Sequence, residues 1–313
     1  MNTLRFLSPI NHYLSLHNSI HQARTPKGSI VTMPILVRPM RPSDLPARER
    51  IMAAAFSAGL RPHIYPNGTT PADTIHMFTD TLSSMQSKTS LSDDQPGSRL
   101  FVAYDSEVPA LPSDLEFPET WEKKTEVELT GKAREEEKRI VGLALWQLQP
   151  SARKQEDVDK EKESADGDSS HAPSANAALL DGFAEALTAA RDRWIGLEAY
   201  LYLKVLAIDP AYQRKGVGSL LLDEGLNIAD RIGLQAYLEA TEVGRPLYKR
   251  KGFEDRDYMD FDVAKYAPAA EGEDHRFMCM VRPAPAGGKK TVGGIKGANE
   301  EQGGNEVVVE KAE

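Results

Sequence analysis

A single cysteine in 313 residues excludes an internal disulfide and a Cys-based zinc cluster. That scarcity fits an intracellular chain, cytoplasmic or nuclear. The residue itself, Cys279, lies in Phe277-Met278-Cys279-Met280-Val281, a strand-like run that favours a buried, inert thiol over a nucleophile. Long apolar runs are also missing. None approaches the roughly 18 to 20 residues of a membrane-spanning helix, so no membrane partner is expected. Nor is there a surplus of positive charge. The formal net charge is −9, which argues against general affinity for nucleic acid, because holding phosphate backbones relies on Lys and Arg.

Another absence is local: residues 1–43 contain no acid, while Arg5, Arg24, Lys27, Arg38 and Arg41 are basic. Acid-poor composition is typical of mitochondrial presequences. Pro9 nevertheless interrupts the apolar face of Leu4, Phe6, Leu7, Ile10 and Leu14. Residues 1–32 are therefore read as a disordered or targeting-like extension, with mitochondrial import the weaker alternative.

What is present suits one core of ordinary size plus loose material, with 40% hydrophobic and 27% charged residues. A single domain is expected over 33–283. Residues 35–37 read as a strand, 45–58 as a helix, and 72–85 as a second helix capped near Thr70, with Ile75, Phe78 and Leu82 at helical spacing. Residues 100–104 and 140–146 read as antiparallel strands separated by an insertion, 106–139, far longer than a hairpin loop. A second insertion, 151–178, is charged and poor in bulky apolar residues, so disorder is expected there. Helical spacing returns at 179–194, and 258–263 could extend a sheet at an edge. The Gly-, Lys- and Glu-rich segment 284–313 reads as a disordered tail.

The most telling stretch is Gln213-Arg214-Lys215-Gly216-Val217-Gly218, between an apolar run at 201–208 and a helical-period segment at 219–232. Glycines at a helix start let the backbone approach an anion, and the first helical N–H groups lack partners within the helix. Arg214 and Lys215 add positive charge. Asp209-Pro210 ends the preceding strand, since proline gives no N–H to a ladder. A P-loop would need Gly-Lys followed by Ser or Thr, which is absent. A dinucleotide fingerprint would need glycine where Leu221 stands, although Glu239 follows about 20 residues on, where a ribose-binding acid sits in that motif. That reading is demoted and kept.

The run Leu203-Lys204-Val205-Leu206-Ala207-Ile208-Asp209-Pro210, continuing through Gln213-Arg214-Lys215-Gly216-Val217-Gly218, resembles the GNAT acetyltransferase superfamily. There, a strand leads into Gln/Arg-x-x-Gly-x-Gly/Ala at a helix start. A second block, Tyr237-Leu238-Glu239-Ala240 through Arg245-Pro246-Leu247-Tyr248 to Gly252-Phe253, is similar to the next strand, helix and Gly-Phe turn of that superfamily. The resemblance is close over 201–253 and loose over 33–283. It implies an α+β fold, an α/β/α sandwich with a mixed, mostly antiparallel sheet splayed at the cofactor strand and helices on both faces.

The resemblance also implies acetyl-CoA as cosubstrate and a primary amine as acceptor. Gln213, Arg214, Lys215, Gly216, Val217, Gly218 and Ser219 would wrap the pyrophosphate, and Leu206, Ala207 and Ile208 would meet the pantetheine arm. Tyr248 would stabilise the departing thiolate. A phenol near 10 and a thiol near 8.5 make full proton transfer uphill by roughly 2 kcal/mol, so hydrogen bonding is its main action. Glu239 and Glu198 are candidates for taking the amine's proton, and either could equally be a solvated acid. His63 and Tyr65 are placed near the acceptor, though an ordinary loop histidine is the plainer reading of His63. The acceptor, small molecule or protein, and the state, monomer or homodimer, stay open. So do two other classes: a non-catalytic acyl-CoA-binding regulatory module and a dinucleotide-dependent oxidoreductase.

Overall fold

The computed structural model describes residues 22–24, 30–32, 35–88, 95–107, 139–156, 158–159 and 171–286. Two short strands, β1 (Gln22–Arg24) and β2 (Ile30–Thr32), pair only with each other, antiparallel. This hairpin lies within the extension expected to be disordered or targeting-like. The rest of that extension, most of the 106–139 insertion and the tail beyond residue 286 fall outside the described residues.

Seven strands make one open sheet in the order β3-β4-β5-β6-β7-β9-β8. They are β3 (Ile35–Pro39), β4 (Gly97–Asp105), β5 (Ile140–Gln149), β6 (Tyr200–Ile208), β7 (Gln235–Ala240), β8 (Glu254–Tyr258) and β9 (Met278–Arg282). Every neighbouring pair is antiparallel except β6–β7. Helix α5 (Val217–Ile232) covers one face. On the other lie α1 (Leu45–Ala55) and α3 (Pro71–Lys88), over one half, and α4 (Ala177–Trp194), over the other. This is the expected α+β sandwich with a mixed, mostly antiparallel sheet. Two short helices are α2 (Arg61–Ile64) and α6 (Arg245–Arg250).

The middle of the sheet is packed from both sides. Trp146, Leu148 and Leu201 meet Leu221 and Leu222 of α5, all fully buried or nearly so, while Ile140 and Leu143 meet Leu45, Ile51 and Phe78. Of the residues at helical spacing in α3, Phe78 and Leu82 are buried but Ile75 is exposed. Its place facing inward is taken by Asp73. Thr70 and Asp73 form a reciprocal cap, and Asp73 also accepts from Ser174 N at 2.8 Å and Ser174 Oγ at 2.5 Å. Burial pushes the Asp73 carboxyl up, yet hydrogen bonds from Ser174 and Thr70 hold it well below the usual range.

That contact corrects the expected disorder of 151–178, because its described ends are docked. Ser174 is held by Asp73, Val158 and Ala172 are buried, and Arg153 donates to Gly196 O at 2.6 Å. Small numbers of well-placed polar contacts anchored a segment whose composition lacked apolar bulk. At this edge of the sheet the outer strand is β8, and of the expected 258–263 only Tyr258 belongs to it. Its ladder with β9 shifts register between Asp255 and Tyr258, after which Asp262 accepts from Ala264 N and starts a tight turn.

Candidate active site

The site is built around a defect in β6. Leu145 pairs with Val205 and Trp146 with Leu203, which leaves Lys204 as an extra residue bulged from the ladder. A bulge bends its strand and adds twist. β6 accordingly pairs with β7 only from Tyr200 to Tyr202, then parts from it. From 205 to 208 the strand keeps β5 on one side and, among the described residues, pairs with no strand on the other. This is the splay expected at the cofactor strand, and its unpaired main-chain groups need a ligand or water.

Beyond the opening lies the glycine loop. Asp209 accepts from Ala211 N, Pro210 starts a single tight turn, and the Gln213 side chain returns to Ile208 O at 3.3 Å. Arg214 and Gly216 both have left-handed backbone, φ 58° and 88°. Successive amides in such a turn make an anion-binding concavity, here running into the first turn of α5. Among the described residues, no backbone acceptor takes the amides of Arg214, Lys215, Gly216, Val217 or Gly218. Ser219 differs: its amide already donates to Gly216 O at 3.0 Å, so the cradle ends at Gly218.

A Cβ at Gly216 would stand in open space, while one at Gly218 would come within 3.1 Å of Leu247 in α6. The two glycines thus serve different needs. Gly216 permits the left-handed turn, and Gly218 lets α5 approach α6 and the end of β6. Lys215 Nζ lies over the Tyr212 ring, 4.9 Å from its centre. The unpartnered amides, the open glycine and the adjacent free strand edge fit a diphosphate with an extended amide-bearing arm.

Tyr248 of α6 packs against the α5 side of the sheet, 8% exposed, with Phe253 edge-on at 6.0 Å. Burial pushes its phenol well above the usual range. Glu239 is on the other face. Along β7, Ala236, Leu238 and Ala240 join the α5-side core, whereas Tyr237 belongs with the α4-side cluster and Glu239 has the same alternation. Tyr248 and Glu239 therefore stand on opposite faces of the sheet, beside the strand pair that parts.

Glu239 Oε2 accepts from Tyr202 Oη at 2.8 Å, and its Oε1 is shut off from solvent. Burial raises its carboxyl to about 7, opposed by the hydrogen bond from the Tyr202 hydroxyl and by the charge of Arg191. Arg191 lies over the Tyr202 ring at 5.8 Å, and the Tyr202 and Tyr237 rings are 5.6 Å apart. The sequence reading missed Tyr202, Tyr237 and Arg191. Period-two alternation of Tyr200 and Tyr202 in a strand read simply as apolar was the available signal. Cys279, opposite Glu239 in the ladder, is 1% exposed, and burial raises its thiol, as an inert cysteine requires.

Glu198 is not brought into this group. It is exposed in the turn before Tyr200, at the end where β6 and β7 are still paired, and the nine residues of β6 separate it from the loop. At about 3.3 Å per residue that is nearly 30 Å. The dinucleotide reading also loses its acid, since Glu239 faces away from α5 and is held by Tyr202. Of the two loop residues expected near the acceptor, Tyr65 donates to Met77 Sδ at 3.7 Å and His63 contacts Glu273. Among the described residues, no helix is long and apolar enough to cross a membrane.

Residues 176–255 match the family described as Acetyltransferase (GNAT) domain. A curated protein described as probable acyltransferase SID5, from Ajellomyces capsulatus, is 39% identical over 44 residues, 14% of this chain and 32% of that protein's length. The match thus spans about a third of the curated relative. Among solved structures, a mosquito arylalkylamine N-acetyltransferase like 5b is 17% identical with a TM-score of 0.48, covering 79% of this chain and 99% of that one. A Corynebacterium glutamicum protein described as histone acetyltransferase HPA2 and related acetyltransferase is 19% identical with a TM-score of 0.45, covering 81% and 98%.

Proposed function

We propose that this chain, a member of the GNAT superfamily, is an acetyl-CoA-dependent N-acetyltransferase acting on a primary amine. The observation that carries the reading is the parting of β6 from β7 at the Lys204 bulge, directly before a loop whose amides from Arg214 to Gly218 lack backbone acceptors. Those amides, with Arg214 and Lys215, hold the diphosphate. The free edge of β6 at Leu206, Ala207 and Ile208 takes the amide-bearing arm. When bound, acetyl-CoA supplies an activated acetyl thioester.

The two faces divide the remaining work. An alkylamine with a pKa near 10 is neutral only to about one part in a thousand at pH 7, so its proton must be removed. Glu239, raised to about 7, is half ionised near neutrality and suits that role. Tyr202 orients its carboxylate through Oε2. On the α5 side, the Tyr248 phenol donates a hydrogen bond to the developing thiolate, its raised pKa keeping the proton on oxygen. The N–C bond forms as the C–S bond breaks, the amine proton passes to Glu239, and no covalent enzyme intermediate is needed.

Release of free thiol from acetyl-CoA, followed across a panel of amines with a peptide N-terminus and a lysine peptide included, tests this reading. Amine-dependent release supports it. Tight binding of acetyl-CoA with no release for any amine would favour a non-catalytic acyl-CoA-binding module.

A further inference from the structure

We infer that His63, Glu273 and His275 form a binding site for one divalent transition-metal ion of the zinc class. The inference does not rest on the proposed acyl transfer and holds whether or not the chain is an enzyme. His63 Nε2 and His275 Nε2 lie 3.0 and 2.8 Å from the same carboxylate oxygen, Glu273 Oε2. The candidate ligand atoms of all three residues fall within 4.8 Å of one another. The two imidazoles stand nearly perpendicular, 82° between planes and 5.1 Å between centres. Two nitrogens and one carboxylate oxygen converging on a point are a zinc donor set, and a water completes such sites.

The geometry needs little adjustment to admit an ion. With zinc–ligand bonds of about 2.0 to 2.2 Å, tetrahedral ligand atoms sit roughly 3.3 to 3.5 Å apart, so each imidazole nitrogen needs to part from the Glu273 oxygen by only about half an ångström. The imidazoles are the fixed partners, their side chains 11% and 10% exposed, whereas the Glu273 side chain is 51% exposed and can swing. A cavity of about 490 Å³, lined in part by Phe261, Asp262, Glu273 and His275, leaves room for the water. The nearby Asp274 carboxylate is already taken by Arg276 and Asp262 caps a turn, so neither competes for the ion.

The protein also holds the two segments together without an ion. Although His63 and Glu273 are 210 positions apart in sequence, Asn176 joins their neighbourhoods. Its amide donates to Ile64 O at 2.8 Å and its side chain to Tyr266 O at 3.1 Å. The entropy of assembling the ligands is thereby largely met by folding, and an ion would tie α2 to the segment before β9.

The test is a titration of chelator-treated full-length protein with zinc alone by calorimetry, and with cobalt alone by visible absorption. One zinc per chain is expected, weakened about tenfold or more in His63→Ala and in His275→Ala and unchanged in His76→Ala. The cobalt spectrum should lose its ligand-field bands in the same two variants. Circular dichroism checks that each variant folds, and His63→Gln, which keeps a hydrogen-bonding side chain, replaces His63→Ala if that variant does not. Absence of saturable zinc uptake by the wild type, or uptake unaffected at both histidines, would overturn the assignment and leave a hydrogen-bonded clasp.

Discussion

Glu239→Gln isolates the charge on an acid that the sheet buries beside the opening. Glu239 has a carboxyl raised from 4.5 to about 7, chiefly by burial. The native state thus keeps this proton to higher pH than the unfolded chain. Between about pH 4.5 and pH 7 the unfolded state binds fewer protons, so stability falls as pH rises, and it levels off above pH 7. Two and a half pH units at about 1.4 kcal/mol each correspond to about 3 kcal/mol. Glutamine still accepts from Tyr202 but carries no charge. Urea unfolding at pH 5 and pH 8 should show the wild type losing roughly that much more stability than the variant on going to pH 8. The same exchange removes the proton acceptor, so turnover should drop by about 10² or more and the acidic limb near pH 7 should vanish. Identical pH dependence of stability in both proteins would refute the buried, raised carboxylate; an intact acidic limb would refute its role as base.

Tyr248→Phe removes one oxygen from a ring that is 8% exposed and packed against Phe253. Turnover should fall about tenfold to a thousandfold with acetyl-CoA affinity kept, and thermal stability should change little, because the ring and its packing are kept. Unchanged turnover would remove Tyr248 from the mechanism. Gly225→Ala drives a Cβ into the Trp146 indole in the α5–sheet contact. Overpacking should cost about 1 to 3 kcal/mol in urea unfolding, and a neutral result would show that α5 sits farther from β5 than described.

The glycine loop was legible because backbone chemistry writes itself into sequence. A left-handed turn selects Gly216, a close helix approach selects Gly218, and Pro210 stops a strand, so the loop could be placed by residue type alone. The Lys204 bulge was not legible, since its register depends on the partner strand β5. Glu198 and Glu239 looked alike as acids near strand ends. Only pairing separates them, putting Glu198 at the closed end of β6 and Glu239 against Tyr202. The docked ends of 151–178 escaped notice for a related reason, because Asp73 and Ser174 meet across 101 positions and neither is apolar. His63 and His275 likewise converge through the tertiary fold, with no local spacing to announce them.

We propose that the loop from Arg214 to Gly218 and the open edge of β6 form an acetyl-CoA seat. Calorimetric titration of the full chain with acetyl-CoA, with NAD as control and Gly216→Val as the variant, tests it most directly. Valine at a φ of 88° is strained without meeting a neighbour, so it disturbs the cradle rather than the core. One acetyl-CoA site per chain, no heat with NAD, and marked weakening in a folded Gly216→Val variant are expected. Saturable binding of NAD alone, or acetyl-CoA affinity unaltered by Gly216→Val, would contradict it.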